Sequence, residues 1–370
     1  MLAGLISCTW LAAFASASAS DETTNKVVRA VAYSHEEVKT IPWSIHLIKV
    51  DRSQTNLSFQ TVAGRGNEFA LTPLPEQIRN FPLSAGKVMA AVNGDFYRSD
   101  PPYAGDPRGI LISRGELMSG PDTWAAFFVD INGAPQVSII TPDFKASFPD
   151  GKSLPFTLNE ERTRGTVVLF TRAVGNSTKT EGGHELILEG VPGEKWLPLS
   201  ASAITKARVL KVVDGGNSPL TPETMVLSLS PAAAAKIKMP AVGEVIELNT
   251  ATTPSLQGVP TAMGGGPALV RQGKALPVGQ SQGRHPRTAV GWSKDFYFLV
   301  EVDGRQKDSA GMTYQELAEY MQKLGCDEAV NLDGGGSSTM WVRGNVMNSP
   351  SEGQPRPMAD SLLLIYSDRR

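Results

Sequence analysis

Of 370 residues only two are cysteine, Cys8 and Cys326. Once an N-terminal leader is removed a single thiol remains, which excludes an internal disulfide and a cysteine metal cluster. Histidine is nearly as scarce, at His35, His46, His184 and His285, and none is spaced for a Cys-His nucleophile or an H-E-x-x-H zinc motif. Charge of one sign is also missing. Lys+Arg number 35 and Asp+Glu 37, a formal net charge of -2, so no bulk field draws the chain to nucleic acid or to an anionic membrane. Recognition of a phosphate must therefore be local. Beyond the N-terminus, no apolar run approaches the roughly 18 residues of a membrane span.

The first twenty residues, MLAGLISCTWLAAFASASAS, have no charged side chain, an apolar centre and an A-x-A site at Ala17-Ser18-Ala19. They read as an export signal, which predicts a secreted or periplasmic protein. LISC, ending at Cys8, also fits a lipoprotein cysteine, but the apolar lead is short for that purpose.

What remains is 41% hydrophobic, enough for a sizeable core. Ten strand-like runs dominate: 43-50, 87-92, 124-131, 166-170, 185-189, 207-213, 224-229, 244-248, 296-302 and 361-366. Hairpin signals such as Asn132-Gly133 and Gln272-Gly273 predict mainly antiparallel pairing. One helix is clear in TYQELAEYMQKLG, where Thr313 and Glu316 form a capping box and Gly325 supplies the stop. Shorter helices are predicted over 74-80 and 231-238. The expected fold is α+β: a mostly antiparallel sheet core with a few packed helices, in a single domain spanning 27-370.

Four loops at strand ends carry the chemistry. AAVNGDFYRSD (90-100) and AVNLDGGGSSTMWV (329-342) each run from an apolar strand into Asn, Gly and Asp. AMGGGPALV (262-270) holds a second triple glycine, and GRHPRTAVG (283-291) brings Arg284 and Arg287 to a strand. Any one could be a plain turn, since Asn-Gly and Asp-Gly are common turn pairs. Four together, two with three consecutive glycines, exceed what turns require and suit a backbone that lies against a ligand. Asp214 and Asp303, each before glycine, read as ordinary turn residues. GQSQG (279-283) matches the serine-hydrolase elbow, but only His285 follows it, two residues on, so the match reads as accidental. GGGSS lacks the lysine of a phosphate-binding P-loop.

In combination RTAVG (287-291), VDGR (302-305), the run from Gly311 to Tyr366, AAVNGDFY, NEERTRGTVVLFT (159-171) and GGGPALV (264-270) resemble the phosphodiester glycosidase family, over roughly Trp43 to Tyr366. The resemblance implies hydrolysis of a sugar-phosphate or polysaccharide substrate at the sugar-phosphodiester bond, outside the cytoplasm, and bacterial relatives are exopolysaccharide-related. Such a reaction needs a carboxylate beside an oxocarbenium-like carbon, and arginine to neutralise the leaving phosphate. Asp333 and Asp95 are the candidate catalytic acids, one as nucleophile or stabiliser and the other as base. Arg287 is the first candidate for phosphate, with Arg162 and Arg356 behind it. Asn93, Asn331, Ser337, Ser338 and the amides of Gly264, Gly265, Gly266, Gly334, Gly335 and Gly336 are candidates for sugar hydroxyls and phosphate oxygens. No cofactor is called for, although a divalent cation held by Asp95 and Asp333 stays open. Two other readings compete: a metal-assisted phosphodiesterase that breaks the P-O bond, and a non-catalytic glycan-binding envelope protein.

Overall fold

The computed structural model describes residues 30-279 and 283-367. The export signal, its lipoprotein alternative at Cys8 and the centre of GQSQG lie outside the described residues. All ten runs anticipated above form strands, but many shorter strands join them, and the fold is β-rich rather than α+β. Strands make up 43% and helices 9%, in three helices. The correction has a local cause. The Ala-rich segment expected to be helical over 231-238 holds only one turn, Pro231–Ala234, because Ala235 already closes it and Pro240 lies just beyond. Strands of two to four residues at Leu111–Ser113, Thr261–Met263 and Met340–Val342 are too brief to show a period-two pattern.

A seven-stranded antiparallel sheet runs in the order Val31–Val38, Trp43–Asp51, Phe296–Val302, Arg287–Trp292, Glu328–Asn331, Ala268–Arg271, Lys274–Ala275. One of its faces packs the helix Tyr314–Lys323 through Leu317, Ala318 and Met321, with Cys326 buried among them. The helix is bounded as its residues require. Thr313 accepts from the Glu316 amide and Glu316 accepts from the Thr313 amide. The opposite face meets a five-stranded sheet whose centre is Lys87–Asn93 between Met340–Val342 and Asp360–Tyr366. A second five-stranded sheet, centred on Thr261–Met263, joins this core to an eight-stranded sheet built from residues 141-253. That last sheet includes one parallel pair, Thr157–Leu158 with Val167–Phe170.

Asn93, at the end of Lys87–Asn93, and Asn331, at the end of Glu328–Asn331, bring two of the four polar loops to the same junction. Arg287 opens its strand there, and Met263 delivers the first triple glycine. Thr313→Ala should cost about 1 kcal/mol through loss of the helix cap. A thermal melt checks it, and an unchanged Tm would show that packing alone holds the helix.

Candidate active site

The site gathers three aspartates rather than two. Asp95 is buried at 2% exposure, with Oδ1 accepting from the Phe96 amide at 2.7 Å and Oδ2 from the Gly109 amide at 2.7 Å. Its own amide donates to Asp360 Oδ1 at 2.7 Å. Asp360, fully buried, leaves Oδ2 without a hydrogen-bond partner. Burial, then the charge of Asp360, pushes Asp95 well above the ordinary carboxylate range, and burial with the charge of Asp333 raises Asp360 to about 7 against the pull of the Asp95 amide. Joined through the Asp95 amide and Asp360 Oδ1, the two acids titrate as a pair that retains a proton between them. Sequence reasoning missed Asp360. It sits in PMADSLL, with no glycine or arginine beside it to mark it.

Asp333 stands at the partly exposed edge of the trio. Its Oδ1 accepts from the Gly334 amide at 2.7 Å. Burial raises its pKa to about 6, against the lowering pull of the adjacent Ser337 hydroxyl, the Gly334 amide, Arg356 and Arg287. It is thus the acid of the three that is charged at neutral pH and open to a ligand.

Around the turn 334-336 stand three guanidinium groups. Arg287 is 4% exposed, lies 3.9 Å from the centre of the Tyr314 ring and donates through Nε to Met312 O at 2.9 Å. Arg305 reaches the turn at Gly335, whose φ of +63° suits glycine. Arg356 reaches it at Gly336 and pairs with Glu352. Neither Arg287 nor Arg305 forms an ion pair with a carboxylate among the described residues. The exposed Arg305 also escaped sequence reasoning, since Asp-Gly-Arg reads as a turn.

The other expected contacts divide. Asn93 is fully buried and its amide is spent inside the protein, donating to Asp333 O at 2.7 Å and accepting from Thr288 Oγ1 at 2.7 Å and the Thr339 amide at 3.1 Å. Asn331 and Ser338 are also buried, and Asn331 Oδ1 and Ser338 Oγ have no partner among the described residues. The amides of Gly264 and Gly266 are committed to Ile110 O and Asn331 O, and those of Gly334 and Gly335 to Asp333 Oδ1 and Pro286 O. The first triple glycine is therefore a matter of close packing: a Cβ on Gly264 would collide with the Asp95 carboxylate. Arg162 is placed elsewhere, donating to Leu229 O, Glu181 O and Gly182 O beside the eight-stranded sheet. The three aspartates do not bring one oxygen each within 4.8 Å of one another, whereas His46, Glu301 and Asp303 do bring their ligand atoms that close.

One cleft opens beside the loop that follows Asp95 and another beside the first triple glycine, neither of them lined by the three acids. One, of about 370 Å³, is lined by Tyr97, Arg98 and Arg108; the other, of about 660 Å³, by Trp124, Pro267 and Tyr314. Trp124, 39% exposed, meets Phe96 edge to face with ring centres 5.3 Å apart, next to Asp95 in the chain.

Residues 201–365 match the family model for phosphodiester glycosidase. That segment, somewhat under half of the chain, carries the likeness to the phosphodiester glycosidase family. The chain is 42% identical over 67 residues to bovine N-acetylglucosamine-1-phosphodiester alpha-N-acetylglucosaminidase, 18% of this chain and 12% of that protein. It is 38% identical over 86 residues to the SPbeta prophage-derived protein YomE of Bacillus subtilis, 23% of this chain and 13% of that protein. The match thus spans about an eighth of the length of each curated relative. Two crystal structures share the fold. A Synechocystis protein superposes over 91% of this chain and 62% of its own, with TM-score 0.71 and 18% identity. A Burkholderia pseudomallei protein superposes over 93% and 80%, with TM-score 0.65 and 19% identity. The matched family is one of glycosidase-type hydrolases. Among the described residues no helix is long and apolar enough to cross a membrane.

The raised acids make a prediction about stability. The folded chain binds protons at Asp95 and Asp360 more tightly than the unfolded chain does, so stability falls as pH rises from about 4, the ordinary carboxylate range, toward their raised values. Asp360→Asn, which cannot ionise, should flatten that decline in denaturant titrations across the interval. A slope identical to wild type would mean that the pair is ionised at little cost.

Proposed function

We propose that the protein hydrolyses a sugar-1-phosphodiester at the bond between the anomeric carbon and the phosphate oxygen. The observation that carries this reading is Asp333 beside Arg287, with Arg305 at the same glycine turn and neither guanidinium in an ion pair among the described residues. Cations left unpaired at a glycine turn suit an incoming anion, and the planar fork of arginine matches phosphate oxygens. In this reading the diester phosphate lies against Arg287 and Arg305, with Arg356 closing the side. The sugar carbon then faces Asp333, whose charge stabilises the oxocarbenium-like transition state. The leaving phosphate monoester is already a stable anion, so neutralisation by arginine matters more than a strong acid. Water supplies the hydroxyl that ends on the sugar. Asp95 and Asp360, buried behind, position Asp333 and hold a proton out of solvent.

Trp124 and Phe96 offer an apolar platform beside the acids of the kind that stacks on a sugar face. The export signal read in the first twenty residues supports a substrate among envelope or extracellular glycans, in the periplasm or outside the cell, with an exopolysaccharide a fitting source.

Hydrolysis of a panel of sugar-1-phosphodiesters in ¹⁸O-labelled water tests the reaction. Label is expected in the sugar, and label in the phosphate would establish P-O cleavage instead. Asp333→Asn should lower kcat/KM by roughly 1,000-fold, and in the wild type kcat/KM should fall on the acid side of about pH 6, where Asp333 gains its proton. An Asp333→Asn variant with full turnover would remove the acid from the mechanism.

Trp124→Ala should raise KM by about fivefold with kcat little changed, the loss of one stacking contact of about 1 kcal/mol. Equal KM values in steady-state kinetics would take the platform out of the substrate site.

A further inference from the structure

The strand Phe296–Val302 places Glu301 opposite His46 on one neighbour and Thr288 on the other, and Asp303 follows it directly. His46, Glu301 and Asp303 are 4%, 0% and 4% exposed, and one ligand atom from each lies within 4.8 Å of the others. His46 Nε2 is 3.0 Å from Asp303 Oδ2. Both carboxylate oxygens of Glu301 lack a hydrogen-bond partner. The nearby amide of Asn348 is directed instead to Ser338 O at 3.1 Å and Asp303 Oδ1 at 3.4 Å. No lysine or arginine pairs with Glu301 among the described residues. A carboxylate sealed from water without donor or counter-ion costs several kcal/mol, and two things relieve it: a proton or a cation.

The surroundings favour a cation. Tyr33 Oη sits 2.8 Å from His46 Nδ1, so an Nδ1-H that donates to the phenol oxygen leaves Nε2 as a lone pair facing the carboxylates. This is the outer-shell contact that orients metal-binding imidazoles. Asp303 Oδ1 is steadied by the Ser349 amide at 2.9 Å. Ser44 Oγ lies 2.9 Å from Asp303 Oδ2 and 3.3 Å from His46 Nε2, marking a fourth position. A cleft of about 620 Å³, lined by Ser44, Asp303, Ser309 and Ser349, gives access from solvent.

We propose that His46, Glu301 and Asp303 bind one divalent transition-metal ion, with zinc the best match. One imidazole and two carboxylates form an N/O set suited to zinc, whereas calcium and magnesium take oxygen sets. Bonds of about 2.1 Å in a tetrahedron put ligand atoms about 3.4 Å apart, so His46 Nε2 and Asp303 Oδ2, now 3.0 Å apart, part slightly to admit the ion. The ion would join the strand Trp43–Asp51 to the strand Phe296–Val302 and anchor the loop that carries Arg305. This role is separate from the reaction proposed at Asp333.

Full-length protein stripped with a chelator and titrated with Co(II), then Zn(II), tests the site. Visible Co(II) absorption, metal analysis after gel filtration and thermal melts are the readouts. One equivalent per chain is expected, displaced by Zn(II), with Tm raised by roughly 3–6 °C at a hundredfold excess over Kd. Glu301→Gln and His46→Gln, checked for folding by circular dichroism, should each weaken Co(II) binding at least about tenfold. Less than stoichiometric metal on folded wild type would overturn the proposal and leave a protonated Glu301 as the explanation. So would Co(II) binding of wild-type strength in both variants.

Discussion

The side-chain amide of Asn93 joins the sheets on which the site depends. It holds Asp333 O from the seven-stranded sheet's loop, Thr288 from the strand of Arg287 and the Thr339 amide beyond the second glycine run. An amide offers two donors and two acceptor sites in one rigid plane, so a single residue fixes three chain segments relative to one another. Being fully buried, these bonds do not compete with water, and leaving any of them unmade would be costly. The position of Asp333 relative to Arg287 follows from this joint.

Around that joint, burial sorts the charges. Three carboxylates sunk at a sheet end cannot all ionise, and the two deepest share their burden through a retained proton. The charge that survives lies on the outermost acid, where solvent and the guanidiniums reach it. The arginines are distributed in a complementary way. Arg287 is stacked on an aromatic ring and tied to carbonyls, which fixes its plane without neutralising it. A site built this way is charged where an anionic ligand arrives and nearly neutral behind, which is how desolvated electrostatics gains strength without an excess of buried charge.

Much of this arrangement was legible in the residues. The loops at 93-95, 264-266 and 333-336 converge because each follows an apolar strand that ends at the same junction, where the strand of Arg287 begins. The purpose of the glycines was less legible. Those at 264-266 admit the Asp95 carboxylate against the backbone, and four of the six amides expected to face a ligand bond to protein oxygens instead. Asp360 and Arg305 had no local mark, for their relation to the site is created by partners 265 residues away in one case and by a turn contact in the other. Asp303, which resembles any Asp-Gly turn, gains significance only beside His46 and Glu301. Arg162 shows the converse: a residue within a family-like stretch that the fold uses to bind three carbonyls of a different lobe.

Strand content, the capped helix at Thr313 and the polar loops were set by local chemistry: side-chain periodicity, capping geometry and backbone freedom act over a few residues, and so are written in the chain. The third aspartate, the guanidiniums without carboxylate partners among the described residues and the His46-Glu301-Asp303 triad came from tertiary structure alone. Burial and charge proximity depend on segments hundreds of positions apart, and no local pattern encodes the distance between them.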